Sequence, residues 1–196
     1  MVKSKSKIAL ERTYNDGLNL RKASSEDTAD ILNLIRKNHV KITNNELLGF
    51  LCHKPSIKDL HHRLKFGSYN QIAIFNTEIA GFFTAFSNEE ANEYLTNGFL
   101  EYEDEVLNAI PEEKYIWLDQ LAIHPPALYR NRIGSRLMKN LVYECYNIGY
   151  TNFLGTVSIA PETNIASLNF LQSLGFRLYS TITMDKRKWV IVKLKL

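Results

Sequence analysis

Residues 115–196 place the tightest condition on the fold, because strand-period and helix-period runs succeed one another there with only short breaks between them. YIWLDQLAI (115–123) is an apolar, β-branched and aromatic run of strand length. Apolar residues then step by three or four from Ile133 through Leu137, Leu141 and Cys145 to Ile148. That is the stripe of an amphipathic helix, and Gly149 supplies its C-terminal stop. A second strand (FLGTVSI, 153–159), a helix from Thr163 to Leu174 halted by Gly175, and two strands over 176–183 and 189–196 complete the series. Strand–helix–strand–helix–strand–strand predicts an α/β layer with an antiparallel end.

The first half is less regular. Residues 1–16 are polar and lysine-rich and predict a flexible segment ahead of one domain over 17–196. LNLRKA from Leu18 predicts a strand, and SSEDTADILNLIRKN a helix capped by Ser24 or Ser25 with Ile31, Leu34 and Ile35 inward. Two short helices are expected over Asn44–Leu51 and Ile57–Phe66, separated by Pro55. QIAIF (71–75) and EIAGFFTAF (78–86) predict a hairpin turning at Asn76-Thr77. The acidic stretch 87–114 predicts an excursion above the sheet with one or two short helices. Within it, residues 89–105 could attract a cationic substrate or be a solvated face.

Composition excludes several function classes. The formal net charge of +3 is far from the basic stripe of a nucleic-acid binder. No run approaches the ~18 apolar residues of a membrane span. Cys52 and Cys145 stand far apart, which points to a reducing compartment and a cytoplasmic protein without disulfides. MVKSKSK leads into no apolar h-region, so no signal peptide is expected. His61 and His62 are adjacent and diverge on a helix, so with Cys52 and His53 they make a poor chelate, and no metal is expected. Cys145 reads as a small core hydrophobe.

The chemistry is concentrated in WLDQLAIHPPALYRNRIGSRLMKNL, 117–141. A strand delivers the chain into a short loop that feeds straight into a helix. The first helical amides have no intrahelical partner, the helix dipole adds partial positive charge, and Arg130 and Arg132 add full charges. Gly134 and Ser135 leave room for close approach. The arrangement suits a phosphate or pyrophosphate, although a plain strand–loop–helix connection with solvated arginines has the same local pattern.

HPPALYRNRIGSRLM resembles the acyl-CoA-binding segment of the GNAT N-acetyltransferase superfamily, where [Gln/Arg]-x-x-Gly-x-[Gly/Ala] opens the helix. NIASLNFLQSLGF (164–176) resembles that family's later helix at the expected distance. Together the two blocks cover about residues 115–180. The resemblance implies an α/β (α+β) fold with a mixed, mostly antiparallel central sheet of six to seven strands and helices on both faces. It implies acetyl-CoA or CoA as co-substrate, no metal, and a small-molecule or peptide amine as acceptor, with a homodimer left open. Counted without a gap from Pro126, Tyr129 stands at the Gln/Arg position and Arg132 at the first glycine; a one-residue shift puts Arg130 in the Arg position instead. Leu171 replaces the tyrosine that often serves as general acid.

The implied reaction needs an amine freed of its proton, since an exposed lysine-type amine with a pKa near ~10.4 is charged at neutral pH. It also needs a donor for the developing oxyanion. Asp119, an acid in an apolar strand, is the candidate base, directly or through water; a structural acid paired with an arginine is the alternative. Tyr179 is a candidate replacement acid, or else a half-buried sheet tyrosine, and His124 is a weaker base candidate near the strand end. The resemblance assigns cofactor contacts to the backbone of Leu121, Ala122 and Ile123. It assigns the phosphate cradle to Tyr129, Arg130, Asn131, Arg132, Ile133, Gly134 and Ser135. From the later helix it assigns Asn164, Ser167 and Phe170. Asn164 could equally be a helix cap. A non-catalytic acyl-CoA-binding module is the rival reading.

Overall fold

A computed structural model describes residues 12–13, 16–41, 49–90, 93, 114–124, 132–184 and 186–196. The strands are β1 (Arg12–Thr13), β2 (Leu18–Lys22), β3 (Gln71–Phe75), β4 (Glu78–Ser87), β5 (Tyr115–Ile123), β6 (Asn152–Ala160), β7 (Arg177–Met184) and β8 (Arg187–Lys195). The helices are α1 (Thr28–Lys37), α2 (Ile57–Phe66), α3 (Ile133–Asn147) and α4 (Ile165–Ser173). One sheet runs in the order β1-β2-β3-β4-β5-β6-β8-β7. Among the described strands, β5 and β6 are the one pair that runs in parallel. Beyond the two-residue β1, seven strands form the mixed, mostly antiparallel sheet expected from the sequence.

Alternation along the central strands divides the core between two faces. Ile72, Phe82 and Ala122 face α1 and α2, where Ile31, Ile35, Leu60 and Leu64 cover them. Ala73, Phe83 and Ile116 face the other way, under the Ile133, Leu137, Leu141 and Cys145 stripe of α3. Each large side chain so buried contributes about 1.5–3 kcal/mol relative to exposure. Helices thus lie on both faces, and the periodicity that predicted them is the periodicity that buries them.

Local chemistry sets the element ends. Ser56 caps α2 by accepting from the Asp59 amide, and the Asp59 carboxylate accepts from the Ser56 amide in return. Asn76 and Thr77 both have positive φ, so the β3–β4 hairpin closes as a two-residue turn whose twist matches its strands. Gly149 ends α3 with φ +92°.

One prediction is corrected here. The helix expected over 44–51 is not continued by its described residues. Gly49 has φ +75°, and Leu51 forms an isolated parallel bridge with His39. A glycine in left-handed backbone followed by an extended residue cannot belong to a helical turn. Residues 42–48, residues 1–11 and most of the acidic stretch 87–114 lie outside the described residues.

Two irregularities in β5 prepare the site. Thr84 pairs with Gln120 while Ala85 pairs with Leu118, so Asp119 is the extra residue of a β-bulge. The parallel pairing with β6 spans only Tyr115–Leu118 against Asn152–Gly155. Gly155 allows the closest approach at that point, because a Cβ there would sit 3.3 Å from Leu118 Cβ. Beyond it the two strands part.

Candidate active site

The gap between β5 and β6 exposes backbone that an intact sheet would use up. The His124 amide donates to Ala80 O on β4 at 2.8 Å, and Gly81 pairs opposite Ile123 and Phe83 opposite Leu121. Amides alternate edges along an antiparallel strand. The N–H and C=O groups of Ile123 and Leu121 therefore point away from β4, into the gap.

Two adjoining cavities, each about 260 Å³, occupy this region and share Phe50, Leu51, Leu121, Ser167 and Phe170 as lining. The first runs to the start of α3 and is also lined by Ala122, Ile123, Arg132, Gly134 and Ser135. Among the described residues no side chain caps α3, and its first helical bond is from Arg136 N to Arg132 O at 3.0 Å. The amides of residues 133–135 consequently have no carbonyl to bond within the helix. Arg132 has φ +49° and ψ +40°, the left-handed backbone that favours glycine. The ungapped count, with Arg132 at the first glycine position of the pattern, matches that conformation. Gly134 has a second reason for lacking a side chain: a Cβ there would lie 3.2 Å from Phe170 Cζ. Ile133 offers only its amide, since its side chain is buried in the core. Tyr129, Arg130 and Asn131 lie outside the described residues.

The second cavity passes through the parted strands to the α2 side of the sheet. There the Asp119 carboxylate accepts from Arg63 Nη1 at 2.6 Å and from Thr84 Oγ1 at 2.9 Å. Both charged side chains are nearly inaccessible, at 4% and 9% exposure. The bulge puts Gln120 on the same side, where its Nε2 donates to His53 O at 3.2 Å. Burial pushes the Cys52 thiol up, against the pull of Arg187 and a hydrogen bond with Ser158.

Asn164 does more than cap. Its Oδ1 accepts from the Ser167 amide at 3.1 Å while its Nδ2 donates to Phe50 O at 2.8 Å. The segment Gly49–His53 is thereby tied to α4 on one side. On the other it is tied to the end of α1, through Leu51 N to Asn38 O and Val40 N to Leu51 O. It forms a strap across the opening.

Some expected residues do not meet there. Tyr179 is 46% exposed on the edge strand β7, under the Lys193 ammonium, and does not line either cavity. It is the residue skipped where Leu178 pairs with Val192 and Ser180 with Ile191, the extra residue of a β-bulge. His124 follows β5 and lines neither cavity. Leu171 lines the second cavity and is buried, with no proton to give. Sequence reasoning missed Arg63, Gln120 and the strap. Arg63 had a readable signal, because it lies beside Leu60 and Leu64 on the inward stripe of α2. Among the described residues no cluster of His, Cys, Asp or Glu could hold a metal. No described helix is long and apolar enough to cross a membrane.

These features suit a ligand with a diphosphate at one end and an amide-bearing arm, because unpaired helix amides and unpaired strand groups lie along one continuous cleft. Residues 50–176 match the model of the acetyltransferase (GNAT) family. No curated protein matches the sequence. An acetyltransferase of the GNAT family from Streptococcus agalactiae 2603 superposes with a TM-score of 0.66 at 15% identity, covering 94% of this chain and 99% of that one. Arabidopsis thaliana Naa50 in complex with the bisubstrate analogue CoA-Ac-MVNAL superposes with a TM-score of 0.62 at 13% identity, covering 92% and 99%. Drosophila melanogaster polyamine N-acetyltransferase, an enzyme that forms N-acetylagmatine, gives 0.59 at 15%, covering 91% and 100%. With a family match across well over half its length, set on a sheet that parts where the cleft runs through it, the chain belongs to the GNAT acetyltransferase family.

Proposed function

We propose that the protein is an acetyl-CoA-dependent N-acetyltransferase, acting on a small-molecule or peptide amine in a ternary complex in the cytoplasm. The observation that carries this reading is the cleft passing from the α3 N-terminus, between β5 and β6, to the opposite face of the sheet. Such a passage lets a thioester arrive from one side and a nucleophile from the other. The thioester supplies the activated acetyl group; the chain's own residues bind, orient and move the proton.

The amides of residues 133–135, with Arg132 beside them, hold the diphosphate. The exposed backbone of Leu121 and Ile123 pairs with the arm, and one of these amides stabilises the oxyanion. Asp119, held by Arg63 and Thr84, takes the amine proton through water. Leu171 supplies no acid, so sulfur departs as thiolate, consistent with an ordinary thiol pKa of about 8.5. Stabilisation of the protein by CoA in a thermal-shift titration, together with thiol release from acetyl-CoA when amine is added, tests the reading. No interaction with millimolar CoA would end it. Asp119→Asn is expected to lower kcat and alter its pH profile; an unchanged profile removes Asp119 as base.

A second reading, an acyl-CoA-binding module without turnover, draws on the engagement of Asp119 by Arg63 and on Leu171. It expects CoA binding with no thiol release.

A further inference from the structure

We propose that Gln120 binds the acceptor amine directly, and that this acceptor is a monoamine carrying an apolar substituent. The proposal rests on the acetyltransferase reading and names the substrate class of that same site. Gln120 is 5% exposed and lines the cavity on the α2 side of the sheet. Its Nε2 donates to His53 O, which fixes which end of the amide is the carbonyl. The remaining Oε1 is buried and, among the described residues, accepts no hydrogen bond. A buried carbonyl oxygen without a donor is destabilising, and nearly all such groups in folded proteins are satisfied. An N–H entering from the cavity satisfies this one. The bulge sets Gln120 next to Asp119 on the same face, so a nitrogen held on Oε1 is brought to the carboxylate's side of the sheet.

Charge narrows the class further. Both arginines lining this cavity are matched by carboxylates: Arg63 by Asp119 at 2.6 Å and Arg187 by Glu162 at 2.5 Å. Among the described residues the cavity thus offers no surplus carboxylate to a second ammonium group. Phe50, Met184 and Trp189 are also part of the lining, and they reward an aliphatic or aromatic substituent and penalise a desolvated charge. Among the described residues a polyamine's additional charges therefore find no partner here.

The full chain would be assayed with acetyl-CoA for thiol release against 2-phenylethylamine, leucine amide, agmatine and spermidine. The first two are expected to show kcat/KM at least about tenfold above the last two, the discrimination a pocket lacking a charge partner can supply. Gln120→Leu is expected to raise KM for the preferred amine about tenfold, the loss of one buried hydrogen bond, with KM for acetyl-CoA unchanged. An unaltered thermal shift with CoA shows that the variant is folded. Preference for agmatine or spermidine overturns the proposal, as does a Gln120→Leu variant whose amine KM is unmoved. CoA binding without thiol release on any of the four amines overturns it while leaving the cofactor reading in place. Absence of CoA binding overturns both.

Discussion

Replacing Arg63 by Met is expected to be among the most destabilising single changes available on the α2 face. The guanidinium is 4% exposed and lies 2.6 Å from the Asp119 carboxylate, itself 9% exposed. Methionine fills much of the same volume but takes away the cation on which a buried carboxylate rests. Removing one member of such a pair costs about 3–5 kcal/mol, several times the worth of a surface ion pair. With a urea m-value of about 2 kcal/mol/M, the unfolding midpoint should fall by roughly 1.5–2.5 M. The double variant Arg63→Met/Asp119→Leu removes both charges and should recover most of that loss, remaining about 1 kcal/mol below the parent because Thr84 Oγ1 loses its acceptor. Urea denaturation of the parent, both single variants and the double variant closes the cycle. A coupling energy under about 1 kcal/mol would refute the reasoning, since it would show the pair to be solvated and Asp119 not to depend on α2.

Other perturbations separate further contributions. Asn164→Ala removes a helix cap and the bond to Phe50 O together, and should cost about 2 kcal/mol by chemical denaturation, roughly one for each. Gly149→Ala places a Cβ that meets nothing within 4 Å, so the expected loss of about 1 kcal/mol is backbone strain at φ +92° alone, visible as a Tm lowered by about 2–4 °C. Asp27 is buried, which works against its charge, but hydrogen bonds from Arg21 and Ser24 outweigh burial and hold its carboxyl below the usual range. Its stabilising contribution is therefore full above about pH 4 and lost as the pH falls through its lower folded value. The stability gap between the parent and Asp27→Asn, followed by denaturation across pH 2–6, should shrink toward the acid end.

How much of this was legible in the chain depends on the range of the interaction. The α3 stripe from Ile133 to Cys145 and the Asn76-Thr77 turn are local, and their periodicity or dihedral chemistry stands in the sequence. The contacts of Leu121, Asn164, Ser167 and Phe170 with one cleft follow from the resemblance, because it fixes their order along the fold. Register is a different matter. YIWLDQLAI reads as one continuous apolar run interrupted by Asp119-Gln120, and nothing local announces that Asp119 is a surplus residue, because the shift exists only against Thr84 and Ala85 on β4. The register shift at Tyr179 is hidden in the same way, because it exists only against Val192 and Ile191 on β8. Arg63 lies 56 residues from its carboxylate, and the strap is held by a bond spanning 114 residues. Such pairings are decided by topology, which short windows do not see.

The surplus residue in β5 also separates architecture from chemistry. A chain shorter by that single position could keep its ladder to β4 and the same apolar surfaces on both sides. It would nonetheless have room for only one polar group where it now presents two adjacent ones. Insertions and deletions at this spot are therefore a route by which a stable scaffold could gain or forfeit reactivity without rebuilding its interior.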